Sequence, residues 1–511
     1  MKRLIKKYIL PAVLIAGLSL TSCSDFLDRS PLGDLTEDDA PGGINQGRAF
    51  QLYALVRGYH ITAGIPAFAI HNFRSEDSEK GSEDNDGADQ AAFFDNFEYN
   101  TTNGPIADYW KENYKIIVNS NTAIDGIERQ STKTKEDSIN YAEAKFFRAY
   151  AFFNLVRAYG EVPKIDFRIT DPAQANIPKS PATDIYALID ADLATSVKYL
   201  PTHWGNDFTG RLTWGAARSL QARTYMMRND WNNMLAASRD VINSGFYNLS
   251  TPYDKIFTDN GENSPESIFE IQCMSTSAKP NATSIGSQFA EVQGVRGGGM
   301  WNLGWGWHMA TTELMNKAYE PGDPRKDATL LYFRRQVGDV VPPITPENTN
   351  TPFGESPISR AMGAAFNKKA YTDPALRKLF TNAGFWVNIR LIRYADVVLM
   401  AAEASNELGM NSDALNYLEQ VRSRARGNNT SILPKVTTTS QIELRDAIRH
   451  ERRVELGLEP DRFYDLVRWG IAKEVLHAAG KTNYQDKHAL LPIPQVEIDK
   501  SNGVLVQNPN F

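Results

Sequence analysis

Cysteine is nearly absent from this chain: Cys23 and Cys273 are the two in 511 residues. No disulfide framework staples such a sequence, so its stability has to come from packing. Cys273 has no evident partner and is expected to be a small buried apolar side chain. Histidine is scarce too, seven in all. His60, His71, His203, His308, His450, His477 and His488 include no pair at helical metal-ligand spacing, and no cysteine cluster offers a zinc site. Catalytic signatures are missing as well: there is no Gly-x-Ser-x-Gly, no phosphate-binding loop and no His-Glu-x-x-His. A glycosidase needs only two carboxylates brought together in space, so that class stays open. Positive charge is in deficit, with a formal net of −6, which argues against a nucleic-acid binder. The first apolar stretch, Tyr8 to Leu20, contains Pro11 and falls short of the roughly 20 residues that span a bilayer as a helix.

What that stretch does offer is a secretory signal. Lys2, Arg3, Lys6 and Lys7 precede it, and small residues follow it up to Cys23. The run Leu20-Thr21-Ser22-Cys23 resembles the bacterial lipobox, in which the cysteine is lipidated and becomes the mature N-terminus. An ordinary signal peptide with an incidental cysteine is the competing reading. Removing residues 1–22 takes away four basic residues and leaves a body near −10. That body is too acidic to hold an anionic membrane by charge, so a lipid on Cys23 would supply the anchor.

At 42% hydrophobic and 23% charged, the rest reads as a globular protein with ample core. Residues 23–45, rich in Pro and Gly, read as a tether. Residues 46–245 read as a helical scaffold. In it, Ala142, Phe146, Ala149, Phe153 and Val156 form one helix face, stopped by Gly160 and Pro163. Helices predicted at 214–227 and 231–243 form a hairpin. A second hairpin is predicted over 390–426, its first helix lined by Ile392, Ala395, Leu399 and Ala402. Ala402, Ala414 and Leu418 fit the small–small–large spacing of a tetratricopeptide repeat. Residues 246–388, rich in Gly, Pro, Asn and Thr, read as a loop-rich subdomain mounted on the scaffold, and 389–511 as a C-terminal helical-hairpin region whose tail packs back on it. The fold class is therefore mostly α, a tetratricopeptide-like scaffold with an inserted irregular subdomain.

Among residues suited to chemistry, Trp301, Trp305 and Trp307 stand out. Three indoles in seven positions, spaced by Gly304 and Gly306, are not a helix face, and flat indoles stack on the C–H faces of sugar rings. Packing of the subdomain core is the alternative. His71, Asn72 and Arg74 form a second ligand candidate beside Phe68 and Phe73; Lys369 and Tyr371 are further ones. The acidic stretch 76–89 reads as a solvated loop, with a structural Ca2+ at Asp84-Asn85-Asp86-Gly87 as the minor reading; no other cofactor is expected. Glu451 falls on the apolar stripe of Ala447, Val454 and Leu458. A buried carboxylate needs a partner, and Arg453 or Arg462 is expected to serve in a structural ion network rather than a catalytic pair.

Several stretches together resemble the SusD/RagB family, the surface glycan-binding lipoproteins of Bacteroidetes. They are Cys23-Ser24-Asp25-Phe26-Leu27-Asp28, AKFFRAYAFFNLVRAYGEVP (144–163), RYADVVLMAAEASNELG (393–409), HERRVELGLEPDRFYDLVRWG (450–470) and LPIPQVEIDKSNGVLVQNPNF (491–511). The resemblance implies an outer-membrane, lipid-anchored, surface-exposed protein that binds an oligosaccharide or polysaccharide without cleaving it. It also implies a partner, a SusC-like TonB-dependent transporter to which the sugar is passed. It carries over no individual ligand contact, because the family has no fixed ligand motif. A lipid-anchored glycoside hydrolase and a helical-repeat scaffold for a protein partner are the competing classes.

Overall fold

The computed structural model describes residues 43–82, 85–87, 91–296, 303–332, 365–381 and 383–511. Cys23, Asp84, Trp301, Asn302, the 1–22 leader, residues 23–42 of the tether, and the loop signals at 297–299 and 342–352 lie outside these residues; residues 43–45, read as the end of the tether, open a helix. Residues 48–511 form one compact unit.

The long helices are α1 (Gly43–Arg57), α2 (Gly104–Glu128), α3 (Lys135–Tyr159), α4 (Ala182–Tyr199), α5 (Trp214–Met227), α6 (Trp231–Asn243), α7 (Tyr394–Glu407), α8 (Asn411–Arg426) and α9 (Gln441–Glu455). Their starts are set locally. Thr134 and Asp137 form a reciprocal capping box at α3, and Thr213, Asp230 and Ser440 cap α5, α6 and α9. Each side chain satisfies a backbone N–H that has no partner within its helix. Gly160, at φ +76°, ends α3 in a conformation that costs glycine little.

Helix α3 carries the core. All five residues of its predicted stripe are buried, but so are Phe147, Ala151, Phe152 and Leu155. The helix is buried on nearly every side because it is wedged between α2 and α4. Hairpins α5–α6 and α7–α8 form as the sequence predicts, and α7 packs on α6, so the two hairpins stack. The start of the second differs from expectation. Residues Ile389–Arg393, including Ile392, form a strand antiparallel to Ser267–Ile271. The apolar Ile392 satisfies either period, and the strand at 267–271 decides between them.

The irregular part between the hairpins is short strands and single turns. Four strands form a sheet in the order 78–81, 307–310, 365–367, 330–332. Ser78 pairs with Ala310 and Gly81 with Trp307. This corrects the reading of the acidic stretch as a solvated loop. Its start is a strand, and Glu76 and Asp77 are buried in ion pairs with Arg462 and Arg453, the Arg453–Asp77 contact at 2.5 Å.

A buried ionic layer ties this part to α8 and α9. Arg325, fully buried, is held by Asp323 at 2.8 Å, by Glu451 and by Glu455 at 3.3 Å. Arg422 joins Glu451 at 2.9 Å to Glu320 at 2.8 Å. Arg393 reaches Glu266 at 2.6 Å, Glu455 at 3.1 Å and Glu459 at 2.7 Å. The expected partner of Glu451 is thus corrected: it is Arg325 and Arg422, while Arg453 and Arg462 turn to Asp77 and Glu76. Burial pulls the Glu455 carboxyl up, but Arg424, Arg393 and Arg325 outweigh it and hold it below the usual carboxylate range. Removing one member would leave an uncompensated charge in the interior.

Candidate functional site

The segment 303–310 is built against 291–296. Leu303 N–H donates to Val295 O at 3.1 Å, Trp305 N–H to Glu291 O at 2.8 Å and Gly306 N–H to Gly294 O at 2.8 Å. This approach explains the alternating glycines. A Cβ on Gly304 would stand 1.9 Å from Glu291 O, and one on Gly306, at φ +75°, would stand 2.9 Å from Arg296 Cβ. The turn at Gly306 gives the two flanking indoles different surroundings.

Trp305 is half-buried, and its ring lies 6.3 Å from that of Tyr59, itself half-buried. His60 packs edge-on to Tyr59 at 5.3 Å, and its Nε2 stands 4.0 Å from Asp108. On the other side, Arg296 donates to Ser82 Oγ at 2.8 Å and to Asp86, while Ser82 donates to Asp86 at 2.7 Å. Two half-buried rings on segments that also carry a guanidinium, carboxylates, an imidazole and a hydroxyl can hold a ligand with apolar faces and polar edges, as a sugar has.

Trp307 is buried, 4% exposed. Lys80 Nζ lies 5.2 Å above its ring, and Gly87, at φ +57°, closes on its edge. It forms the floor under the 85–87 turn. His71, Asn72 and Arg74 also lie inside. His71 Nε2 meets Tyr109 OH at 2.6 Å, and burial, reinforced by Arg157 and Arg74, holds its pKa well below the ordinary value. Asn72 donates to Leu458 O at 3.2 Å. Arg74, fully buried, donates to Ile70 O at 2.9 Å and stacks 4.0 Å above Phe463. Asn72 and Arg74 fasten the 59–76 segment to Leu458 and Phe463, and His71 fastens it to Tyr109.

His71 and Asn72 line a narrow pocket of about 70 Å3 together with Gln293, His308 and Lys369. That space suits a few waters, each needing some 10–15 Å3 on this measure, and is too small for an oligosaccharide. Burial pushes His308 down to about 3, so this ring is neutral at ordinary pH. Among the described residues, no group of three or more His, Cys, Asp or Glu side chains is placed to hold a metal. None of their helices is long and apolar enough to cross a membrane. Cys273 is half-buried, and burial pushes its thiol up to about 11. Tyr59, His60 and Arg296 carry no local signal for a site; a contact across more than two hundred residues brings Tyr59 to Trp305.

Comparison with known proteins agrees on one family. Residues 265–511 match the profile described as the SusD family, and residues 25–226 match the one described as starch-binding and associating with the outer membrane. SusD-like protein P2 of Formosa agariphila is 27% identical over 99% of this chain and 100% of its own length. A SusD-like protein of Bacteroides ovatus is 26% identical over 91% of this chain and 83% of its own. Among solved structures, a laminarin-binding SusD-like protein is 25% identical with a TM-score of 0.74, covering 91% of this chain and 99% of that one. Surface glycan-binding protein A from Bacteroides thetaiotaomicron shares the fold at a TM-score of 0.75 and 23% identity, covering 93% of this chain and 99% of that one. With residues 265–511 and 25–226 each matched by a family model and its fold shared along nine-tenths of its length, the chain is similar to the SusD family from near its start to its end.

Proposed function

We propose that this protein is a non-catalytic glycan receptor that captures oligosaccharides on the Tyr59–Trp305 face and passes them to a SusC-like TonB-dependent transporter. It is held at the outer membrane, facing outward, by a lipid on Cys23. The observation that carries this reading is the pair of half-buried rings 6.3 Å apart beside polar groups, Trp305 sitting on a turn whose glycines leave no room for side chains. Aromatic rings supply contact area at low entropic cost, and a site on a turn held by backbone hydrogen bonds binds without first being ordered. The similarity to a laminarin-binding SusD-like protein makes neutral glucans the first ligands to try. A platform of this size gives Kd values on the order of µM to mM. Tethering beside a pore would compensate by raising the local ligand concentration.

The test is a glycan array followed by titration calorimetry, with reducing ends assayed after incubation. Binding without release of reducing ends is expected. Turnover of a bound polysaccharide would establish the hydrolase reading in its place, and failure to bind any glycan would end the receptor reading. Cys23→Ala should release the protein from the outer-membrane fraction, and the transporter should co-purify with the lipidated form.

A further inference from the structure

A second opening lies in the irregular part, away from the Tyr59–Trp305 face. Residues 253–260, 324–328 and 368–376 enclose a cleft of about 570 Å3, which shares no lining residue with that face. Its size falls within the roughly 300–1,000 Å3 of small-molecule sites. Phe257 and Tyr371 line it. Phe257 is backed by the ionic layer, with Lys369 Nζ 4.6 Å and the Arg393 guanidinium 5.3 Å from its ring.

The walls are built from fixed backbone. A Cβ on Gly261 would stand 2.0 Å from Lys255 O, so the 253–261 loop folds tightly on itself. Thr258 O accepts from Arg390 at 3.0 Å, and Asp259 accepts from Trp386 Nε1 at 2.7 Å. Lys368 donates to Asp327 O at 2.6 Å, and burial lowers its ammonium to about 8. Asp254 and Asn260 are exposed at the rim.

We propose that this cleft is a second carbohydrate site, taking a short neutral segment of the same polysaccharide. The inference rests on the reading of the protein as a glycan receptor. Aromatic side chains beside carboxylate, amide and ammonium groups suit sugar faces and hydroxyls. The neutral character follows from charge. Asp254, Asp259, Asp327 and Asp373 outnumber Lys255 and Lys368 around the opening, so a sulfated or uronate-rich chain is repelled. Two sites on one compact body let a polymer engage both, and its avidity then exceeds that of either site alone.

The test is calorimetry on the purified protein with laminarihexaose, maltohexaose and xylohexaose, and with the parent polymers. The wild type is expected to bind two molecules of its preferred hexasaccharide. Trp305→Ala weakens one event and spares the other; Tyr371→Ala does the reverse. Each loses at least tenfold in polymer affinity. The double variant Asp254→Ala/Asn260→Ala changes exposed side chains only and reproduces the Tyr371→Ala result if that protein is unstable. A single binding event, lost with Trp305→Ala and untouched by the cleft variants, overturns the second site and leaves the receptor standing. No binding of any of these sugars overturns both.

Discussion

Removing the indole of Trp305 is the most direct perturbation of the ligand face. A tryptophan carries roughly 150–250 Å2 of surface, and with Trp305 exposed by no more than about a third, at most about 80 Å2 of it remains for a sugar. At about 25 cal/mol per Å2, covering that surface contributes at most about 2 kcal/mol. Trp305→Ala should therefore weaken hexasaccharide binding by up to about 30-fold, while Trp305→Phe, which keeps a smaller ring, should cost less than tenfold. The measurement is calorimetry in a Tyr371→Ala background, so that the cleft adds no signal. Far-UV circular dichroism and a thermal melt accompany it, since the ring also packs partly on its neighbours. An affinity within twofold of the parent, with the fold intact, would refute stacking at this face.

Glu451→Gln and Arg325→Met each break a buried pair and leave its partner charged; each should lower stability by roughly 3–5 kcal/mol in chemical denaturation. Gly304→Ala forces a Cβ against Glu291 O, 1.9 Å away, and should displace Trp305 and weaken binding with little loss of helical signal; unchanged affinity would contradict the account of the turn. The carboxyl of Glu262 is raised to about 7, by burial first, against Arg390 and the Asn388 N–H, with Glu270 and Asp259 adding to the rise. A carboxyl raised in the fold binds protons that the unfolded chain releases, so its contribution is present below about 4.5 and is lost as pH climbs through about 7. Glu262→Gln can keep the acceptor for Asn388 and should flatten the urea midpoint between pH 5 and pH 8; parallel pH profiles for variant and wild type would refute this.

Helices α3, α5, α6, α7 and α8 were legible because their determinants are local, whereas α2 and α4 were read only as part of the 46–245 scaffold. Thr134 with Asp137, Thr213, Asp230 and Gly160 mark boundaries from a few residues away, and the stripes of α3, α5 and α7 repeat within single elements. The glycine-spaced tryptophans were visible for the same reason, and so was the need of Glu451 for a cation. The identity of that cation was not visible, because Arg325 is more than a hundred residues away and nearer arginines fit the spacing equally well. Ile392 misled because an apolar residue before a helix reads the same whether it continues the helix or begins a strand. His71, Asn72 and Arg74 looked like surface polar groups, since sequence shows a side chain's chemistry and not its depth.

The sequence by itself determined the stacked helical hairpins, the acidic character of the body and the aromatic material for a ligand face, all properties of composition and short-range periodicity. Tertiary structure alone decided which of Trp305 and Trp307 stays partly exposed, which tyrosine joins it and which arginines close the ionic layer. Those choices depend on contacts between distant segments, and such contacts exist only once the apolar faces have packed and fixed the register of everything mounted on them.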